Sequence, residues 1–396
     1  MVVHHDSNSQ PAKKPRMDIV ALLQCLRPHG TTTTHRRLSR IPLALLVMTG
    51  RITMLGLSRW AGKGGSYRTV QRLCSTVLPW AMLFWVFFRQ HRHCPAEVYF
   101  VAGDEVIVTK AGQHTQGLDR FFSSLYGTPV PGLAFFALSL VSVQPRRSFP
   151  MRVEQVVRGD AEKAASKAQA AAKKPQASCA RRRPGRPKGS PNTPTAPVTL
   201  TPELVRIKAM LTALRQLIAT VLSVTSLVLD GHFGTHNALQ MARQCGLHLI
   251  AKLRCEAALY FPDTGPYAGR GPRRKYGHQG DDDHLPVHYL TETTVEGHIE
   301  TRLYQRQVLP KEFVQPLHVV IIAKTNLRPQ ARAPVILFSR DVALAYTLLV
   351  ASYGLRCHSE IVYTQVTKRG GFACGSRRDH RADFHLRIID DDTIDE

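Results

Sequence analysis

The sequence predicts an α/β protein preceded by a small helical domain. Strand and helix patterns alternate in the second half: the apolar run 226–230 precedes a helical pattern over 236–246, and a second strand pattern follows over 247–253. In residues 17–90, apolar residues instead recur at helical spacing, with Gly and Pro between the pieces. Near residue 96 the pattern changes to strands, so the helical part precedes the α/β part.

The charge of the chain indicates the class of partner. It has 53 Lys and Arg against 29 Asp and Glu, a formal net charge of +24. A chain this basic binds polyanions, with an affinity that falls steeply with salt. Nucleic acid is therefore the predicted partner, although a solvated basic surface, as in ribosomal proteins, gives the same composition. The 396 residues are 43% hydrophobic, which is enough to form buried hydrophobic cores. This composition excludes a disordered chain.

Cysteine usage and hydropathy predict the compartment. The eight cysteines include no C-x-x-C pair, which argues against a disulfide framework or a zinc ribbon. The most apolar run, Val77 to Phe88, is too short to cross a bilayer, and Met1 to Arg16 is too polar for a signal peptide. We expect the protein in the cytoplasm or on the nucleoid, without a membrane partner.

Composition and period divide the chain into eight segments. These are a flexible basic N terminus (1–17), a helical domain (18–95), the first part of an α/β core (96–158), a basic linker (159–200), the second part of the core (201–255), a β-rich insertion (256–333), the last core strand and a long helix (334–387), and an acidic tail (388–396).

Each core segment has its own signals. Residues 97–110 and 132–143 are β-rich apolar runs that predict core strands. A helix follows the linker, with Thr201 as its cap and Pro202 in its first turn. Residues 341–366 predict a long final helix with Asp341 near its start.

The helical domain contains a candidate DNA-binding motif. Basic residues surround a Gly-rich turn that is followed by a helix starting at a Ser, and these are Arg51, Arg59, Lys63, Arg68 and Arg72. Basic residues at the N-terminal end of a short second helix suit a helix-turn-helix, in which that end meets DNA. An ordinary helical hairpin with solvated arginines is an equal alternative.

Three acidic residues stand where carboxylates could converge. Asp104 lies within the first core strand, Asp230 at the end of a later strand, and Glu360 on the last helix. An unpaired carboxylate in the apolar strand around Asp104 would cost several kcal/mol, which a bound cation would remove. The neighbouring Glu105 points to the opposite face, and the strand period alone does not choose between the two.

The simpler interpretation of each acid is also open. An Asp after a strand is usually a turn former, and a helical Glu usually belongs to a solvated face. At Asp230, the following Gly231 permits a sharp departure from the strand.

Together the three segments resemble the catalytic motifs of bacterial insertion-sequence transposases of the DDE superfamily. The pattern Y-x2-R-x3-E-x6-K is matched by Tyr353, Arg356 and Glu360, with Thr367 at the Lys position and Lys368 one residue later. Two further motifs complete the likeness, and they are Asp230-Gly231 with Phe233, and Asp104 with Val106 and Lys110-Ala111-Gly112. The resemblance covers roughly residues 40 to 385, including the candidate DNA-binding motif.

This resemblance implies an RNase H-like core with a β-rich insertion before the Glu. It favours Asp104 over Glu105 and implies that Asp104, Asp230 and Glu360 hold two Mg²⁺ ions, with Mn²⁺ as a substitute. The implied reaction is nicking at the transposon ends, followed by transfer of the 3′-OH into target DNA. The implied partner is double-stranded DNA, as terminal inverted repeats and as target. A homodimer on DNA is one candidate assembly, and the sequence does not fix the oligomer.

Four further residues are expected to contact DNA or phosphate, and they are Tyr353, Arg356, Lys368 and Lys110. Tyr353, Arg356 and Glu360 share one helix face, so Arg356 could clamp a phosphate near the metals. An i,i+4 ion pair with Glu360, worth a few tenths of a kcal/mol, is the alternative for Arg356.

The basic linker has a second likeness. Residues Pro184 to Gly189 resemble an AT-hook, whose Arg enters the minor groove of A·T-rich DNA. The basic side chains expected to contact DNA are Arg181, Arg182, Arg183, Arg186 and Lys188. A flexible linker that coats phosphate without sequence preference is equally compatible.

Two other functions stay open from sequence. The chain could be a non-catalytic DNA-binding protein that occupies transposon ends, or an RNase H-like nuclease without strand transfer.

Overall fold

The structure is a computed structural model. It describes residues 19–49, 52–110, 115–123, 127–164, 199–254, 257–263, 266, 269, 276–279, 287–310, 313, 315–328 and 332–367, and side chains of the last helix as far as Arg356. The chain divides into two compact units, Met1–Cys94 and Pro95–Glu396.

The first unit is helical over its described residues. Its helices are α1 Ile19–Leu22, a 3-10 helix Leu23–His29, α2 Thr32–Val47, α3 Met54–Trp60, α4 Tyr67–Cys74 and α5 Trp80–His91. Side-chain oxygens of Thr31, Thr53 and Ser66 cap α2, α3 and α4, each accepting a hydrogen bond from an N–H in the first turn. Leu57 and Val70 belong to the shared apolar core of this unit.

Over its described residues, the second unit is built on one mixed sheet of twelve strands. They are β1 Tyr99–Thr109, β2 Asp119–Ser123, β3 Thr128–Ser142, β4 Arg147–Val156, β5 Ser226–Val228, β6 His248–Leu253, β7 Leu259–Pro262, β8 Tyr276–Gln279, β9 Leu290–Glu296, β10 Ile299–Pro310, β11 Leu317–Asn326 and β12 Arg332–Ser339. The main path runs β2-β3-β1-β5-β6-β12-β11-β10-β7-β8, with β4 paired to β3 and β9 to β10.

Helices that accompany this sheet include α6 Pro202–Ile218, α7 His236–Gln244 and α8 Tyr346–Thr367. Helix α6 begins as its sequence predicts, because the Thr201 side chain accepts a hydrogen bond from the Leu204 N–H and Pro202 occupies the first turn. After α7, Gly246 adopts a φ of 67°, the left-handed conformation that ends many helices. The large mixed sheet with its helices confirms the α/β part of the predicted fold class.

The middle of the sheet combines parallel and antiparallel neighbours. Strand β1 pairs with β3 in antiparallel fashion on one side and with β5 in parallel fashion on the other. Strand β5 pairs in parallel with β6, and β6 pairs with the antiparallel β12. The ends of β1 and β5 therefore point the same way, which decides where their acidic residues lie.

The β-rich segment continues the same sheet. Strands β9 and β10 form a hairpin whose turn contains Gly297 at a φ of 57°, and β10, β11 and β12 pair in antiparallel succession. Through β12 these strands extend the sheet beyond β6.

Helix α8 packs across the sheet. It contacts β1, β4 and β12, and its Leu349 and Leu355 are buried in a cluster that includes Phe100, Val228 and Leu337. This apolar packing fixes the helix on the sheet. The side chains next to Leu355 therefore have a defined position over β1.

The start of α8 differs from the prediction. The helix begins at Tyr346, not near Asp341. The Asp341 carboxylate accepts a hydrogen bond from the Ala343 N–H, and the Asp341 N–H donates to the Ser339 hydroxyl. Asp341 therefore forms a local turn between β12 and the helix, a use of Asp that competes with helix initiation.

Over the described part of the chain, no helix is both long and apolar enough to cross a membrane.

Candidate acidic site at the centre of the sheet

The strand register brings Asp104 and Asp230 to the same level. Ala102 of β1 pairs with Val228 of β5, so each acid lies two residues beyond this pair along parallel strands. Asp104 is still within β1 and is 9% exposed. Asp230 lies just past the end of β5, and its side chain is 51% exposed. One carboxylate is thus held inside the protein, and the other opens to solvent beside it.

Arg356 connects the two acids. Its Nη1 donates a hydrogen bond to Asp104 Oδ1 at 3.1 Å, and its Nη2 lies 3.6 Å from Asp230 Oδ1. Arg356 is only 7% exposed, because α8 holds it against the sheet. A buried charged hydrogen bond of this kind is stronger than a neutral one. The structure therefore places Asp104, Asp230 and Arg356 in one site.

Tyr353 lies beside this site on the same helix. Its ring centroid is 5.7 Å from the Arg356 Cζ, within the range of a cation–π contact. Glu360 lies on the backbone of α8, one turn beyond Arg356. The Glu360 side chain, which is the predicted third carboxylate, lies outside the described part of the structure. Lys368 lies outside it as well.

Glu105 has different surroundings from Asp104. Its charged neighbours include Glu203 and His232. Desolvation of the Glu105 carboxylate by the surrounding protein raises its pKa, and the negative charge of Glu203 raises it further. The pKa of His232 is also raised, mainly by its contact with Glu203, where the Nε2 to Oε2 distance is 3.6 Å. Arg356 reaches Asp104 and Asp230 from α8, so Asp104 is the acid of β1 that belongs to the site.

A short turn fixes the position of Asp230. Directly after it, residues Gly231–Phe233 form a 3-10 helix, and Phe233 is buried edge-on against Phe136 of β3, with 6.2 Å between ring centroids. The burial of this ring anchors the turn on the sheet.

Gly234, not Gly231, is the glycine that this turn requires. A Cβ on Gly234 would lie 2.2 Å from the Lys252 carbonyl oxygen, whereas a Cβ on Gly231 would have its nearest neighbour at 3.5 Å. Gly231 also avoids the left-handed region. The chain leaves β5 at Gly231, but this position tolerates a Cβ, and the strict requirement for glycine lies at Gly234, where the turn closely approaches β6. The sequence does not distinguish Gly231 from Gly234, because the close approach of the turn to Lys252 depends on tertiary packing.

The remaining predicted basic residues lie elsewhere. Lys110 follows β1, and its N–H donates to the Pro131 carbonyl. Arg59, Lys63, Arg68 and Arg72 are exposed on α3, α4 and the turn between them. Outside the described residues lie Arg51, the Ala111-Gly112 pair and the AT-hook-like residues Arg181, Arg182, Arg183, Arg186 and Lys188.

The donor set suits a divalent cation. Carboxylate oxygens are the ligands that Mg²⁺ prefers, and one guanidinium already reaches both Asp104 and Asp230. Among the described side chains, no three from His, Cys, Asp and Glu are grouped to hold a metal. The described part of the site offers two candidate ligands, and a metal held there would need at least one more group.

A basic α/β protein with an acidic pair at the centre of its sheet has the features of a nuclease that uses metal ions. A family model described as DDE superfamily endonuclease matches residues 21–310, well over half of the chain. The chain belongs to this family. The match includes Asp104 and Asp230 and ends before α8. Endonucleases of this superfamily generally depend on divalent metals, and their substrate is DNA. No curated protein matches the chain.

Proposed function

We propose that the chain is a DNA transposase with an RNase H-like core, which hydrolyses phosphodiesters at transposon ends and transfers the 3′-OH into target DNA. The observation that carries this proposal is the bridging of Asp104 and Asp230, on neighbouring parallel strands, by Arg356. The strand sequence β4-β3-β1-β5-β6, with an antiparallel β3, supports the RNase H-like assignment.

Asp104, Asp230 and Glu360 are the residues that would hold the metal. Two Mg²⁺ ions, or Mn²⁺, would activate the attacking water and stabilise the leaving oxygen when bound. Asp104 is fixed by its strand and by burial, so it sets the position of the site. Asp230 is half exposed, so it faces the side from which DNA can approach. Asp104 is held within β1, and Asp230 is held between β5 and the turn anchored by Phe233, which keeps their geometry constant between substrates.

The basic side chains have a separate part in this proposal. Tyr353 and Arg356 lie on the helix that carries Glu360, where they can bind the DNA backbone near the reacting phosphate. Strand transfer in particular rests on the Tyr353, Arg356 and Glu360 spacing of the insertion-sequence pattern. In this proposal a homodimer acts on DNA in the cytoplasm or on the nucleoid, the location expected from the cysteine pattern and the hydropathy.

The helical unit supplies a DNA-binding surface in this proposal. Arg68 and Arg72 are exposed one turn apart on α4, whereas Val70 and Leu73 face the core. The α3 to α4 turn contains Gly62 and Gly64, both with positive φ, which allows the two helices to meet at a sharp angle. The exposed face of α4 is therefore the one that would contact phosphates.

The double variant Arg68→Ala/Arg72→Ala tests that surface. Because each lost phosphate contact lowers the salt slope by about 0.9, we expect the slope of log K against log salt to become shallower by about 2. Fluorescence anisotropy with a labelled duplex at several salt concentrations measures this slope.

Arg89→Ala/Arg92→Ala is the matched control. It removes the same charge from exposed positions at the end of α5 in the same unit. Equal losses in the two double variants would mean that net charge, and not the α4 face, governs binding.

The wild-type protein tests the reaction. Purified protein is incubated with duplexes that carry the DNA flanking its gene, in Mg²⁺, in Mn²⁺ and in EDTA. We expect nicks at fixed positions that require metal, followed by joined products when target DNA is present. Binding without cleavage in either metal would leave a DNA-binding protein that lacks catalysis. Cleavage without joining would indicate a nuclease without strand transfer.

A further inference from the structure

Arg356 occupies the place where a cation between Asp104 and Asp230 would be held. We propose that its guanidinium is the internal counter-ion of the two acids in the metal-free protein, and that metal must displace it. The inference rests on the proposed function, because it takes the two acids as metal ligands. In this inference Arg356 first holds the carboxylates of Asp104 and Asp230 in place, before it makes any contact with DNA.

The geometry sets the guanidinium and a metal ion in competition for the same carboxylates. Arg356 Nη1 lies 3.1 Å from Asp104 Oδ1, on a carboxylate that is almost fully buried. A Mg²⁺ ion binds carboxylate oxygen at about 2.0–2.1 Å. A guanidinium left on that oxygen would stand next to a doubly charged ion with little water to screen the repulsion.

The exposure of the two acids suggests the order of exchange. The contact with Asp230 is longer, at 3.6 Å, and the Asp230 side chain is 51% exposed. Exposed ion pairs contribute little to stability, so this contact is the easier one to break. A cation arriving from solvent would meet Asp230 first and would then compete for Asp104.

Tyr353 gives the displaced group a neighbouring surface. Its ring already lies 5.7 Å from the Arg356 Cζ, on the preceding turn of α8. A guanidinium turned away from the acids would stay close to this ring and to the site. It would then be available for a DNA phosphate only after metal has bound, which couples the two ligands.

Metal affinity, measured without DNA, tests this competition. We compare Mn²⁺ binding by isothermal titration calorimetry for wild type, Arg356→Gln and Arg356→Lys, and follow the thermal midpoint with and without Mn²⁺. We expect Arg356→Gln to bind Mn²⁺ about tenfold more tightly than wild type or better. Its metal-free midpoint should be lower, and its rise on adding Mn²⁺ should be larger. Arg356→Lys should bind with intermediate affinity, because an ammonium group cannot reach both acids at once.

Arg302→Gln is the matched control for lost charge. Arg302 lies on β10 in a surface pair with Glu300, so its loss should leave the Mn²⁺ affinity unchanged. Equal tightening in Arg302→Gln and Arg356→Gln would overturn the inference, since general electrostatics would then explain both.

The remaining outcomes also decide the inference. Unchanged or weaker Mn²⁺ binding by Arg356→Gln, relative to wild type, overturns the inference. If Arg356→Gln does not fold, unchanged or weaker Mn²⁺ binding by Arg356→Lys overturns it instead. Failure of every protein to bind Mn²⁺ also overturns it. Metal-dependent nicking by wild type with unchanged affinity in the variants would reject the counter-ion role and leave the proposed function standing.

Discussion

Asp104→Asn and Asp230→Asn should each reduce metal-dependent nicking by at least about 1,000-fold. Each substitution keeps the shape of the side chain and removes one negative ligand, so the metal would lose several kcal/mol of its stabilisation of the transition state. DNA binding should persist, since it depends on basic residues elsewhere in the chain. Gel separation of nicked from intact duplex, beside an anisotropy titration, measures both quantities.

The two variants should differ in stability. Asp104→Asn weakens the partner of a buried guanidinium, so we expect a lower thermal midpoint in the absence of metal. Asp230 is half exposed, and its Asn variant should melt close to wild type. Loss of nicking in a stable Asp230→Asn protein therefore cannot be assigned to unfolding.

Glu105→Gln is the control on the same strand. Its charged neighbours are Glu203, His232, Arg158 and Arg206, and we expect the Glu105→Gln protein to nick at close to the wild-type rate. A loss in Glu105→Gln as large as in Asp104→Asn would show that the site had been placed on the wrong face of β1.

Local signals made much of the fold predictable. The Thr201 cap with Pro202, the Gly246 stop after α7 and the apolar run of β1 each depend on residues close in sequence. The boundary at Asp341 failed for a related reason. A side-chain turn and a helix start use the same residue type, and only the hydrogen bonds of Asp341 distinguish them.

The partners within the site were not predictable in the same way. Asp104 and Arg356 are 252 positions apart in sequence and meet only because α8 packs over β1. Helical spacing suggested a phosphate or Glu360 as the partner of Arg356, because spacing compares only residues on the same element. The contact with the two acids depends on tertiary packing, which no local pattern encodes.

Gly234→Ala should disrupt the site without touching any acid. The added methyl would lie 2.2 Å from the Lys252 carbonyl oxygen, so the turn or β6 must move. Overpacking of this kind typically costs about 1–3 kcal/mol. The turn also sets the position of Asp230, and a displacement of about 1 Å at a catalytic group can reduce the rate on the order of 100-fold. We expect both a lower midpoint of unfolding and a large loss of nicking.

Gly231→Ala separates this effect from a general need for glycine in the turn. Its Cβ would have its nearest neighbour at 3.5 Å, an ordinary contact with the Lys252 side chain. Replacing Gly by Ala without strain restricts the unfolded chain and stabilises by about 0.4–1 kcal/mol. Urea unfolding and the nicking assay on both variants should therefore place Gly231→Ala at or above wild type in stability and Gly234→Ala well below. Equal behaviour of the two would mean that the approach to Lys252 does not hold Asp230 in place.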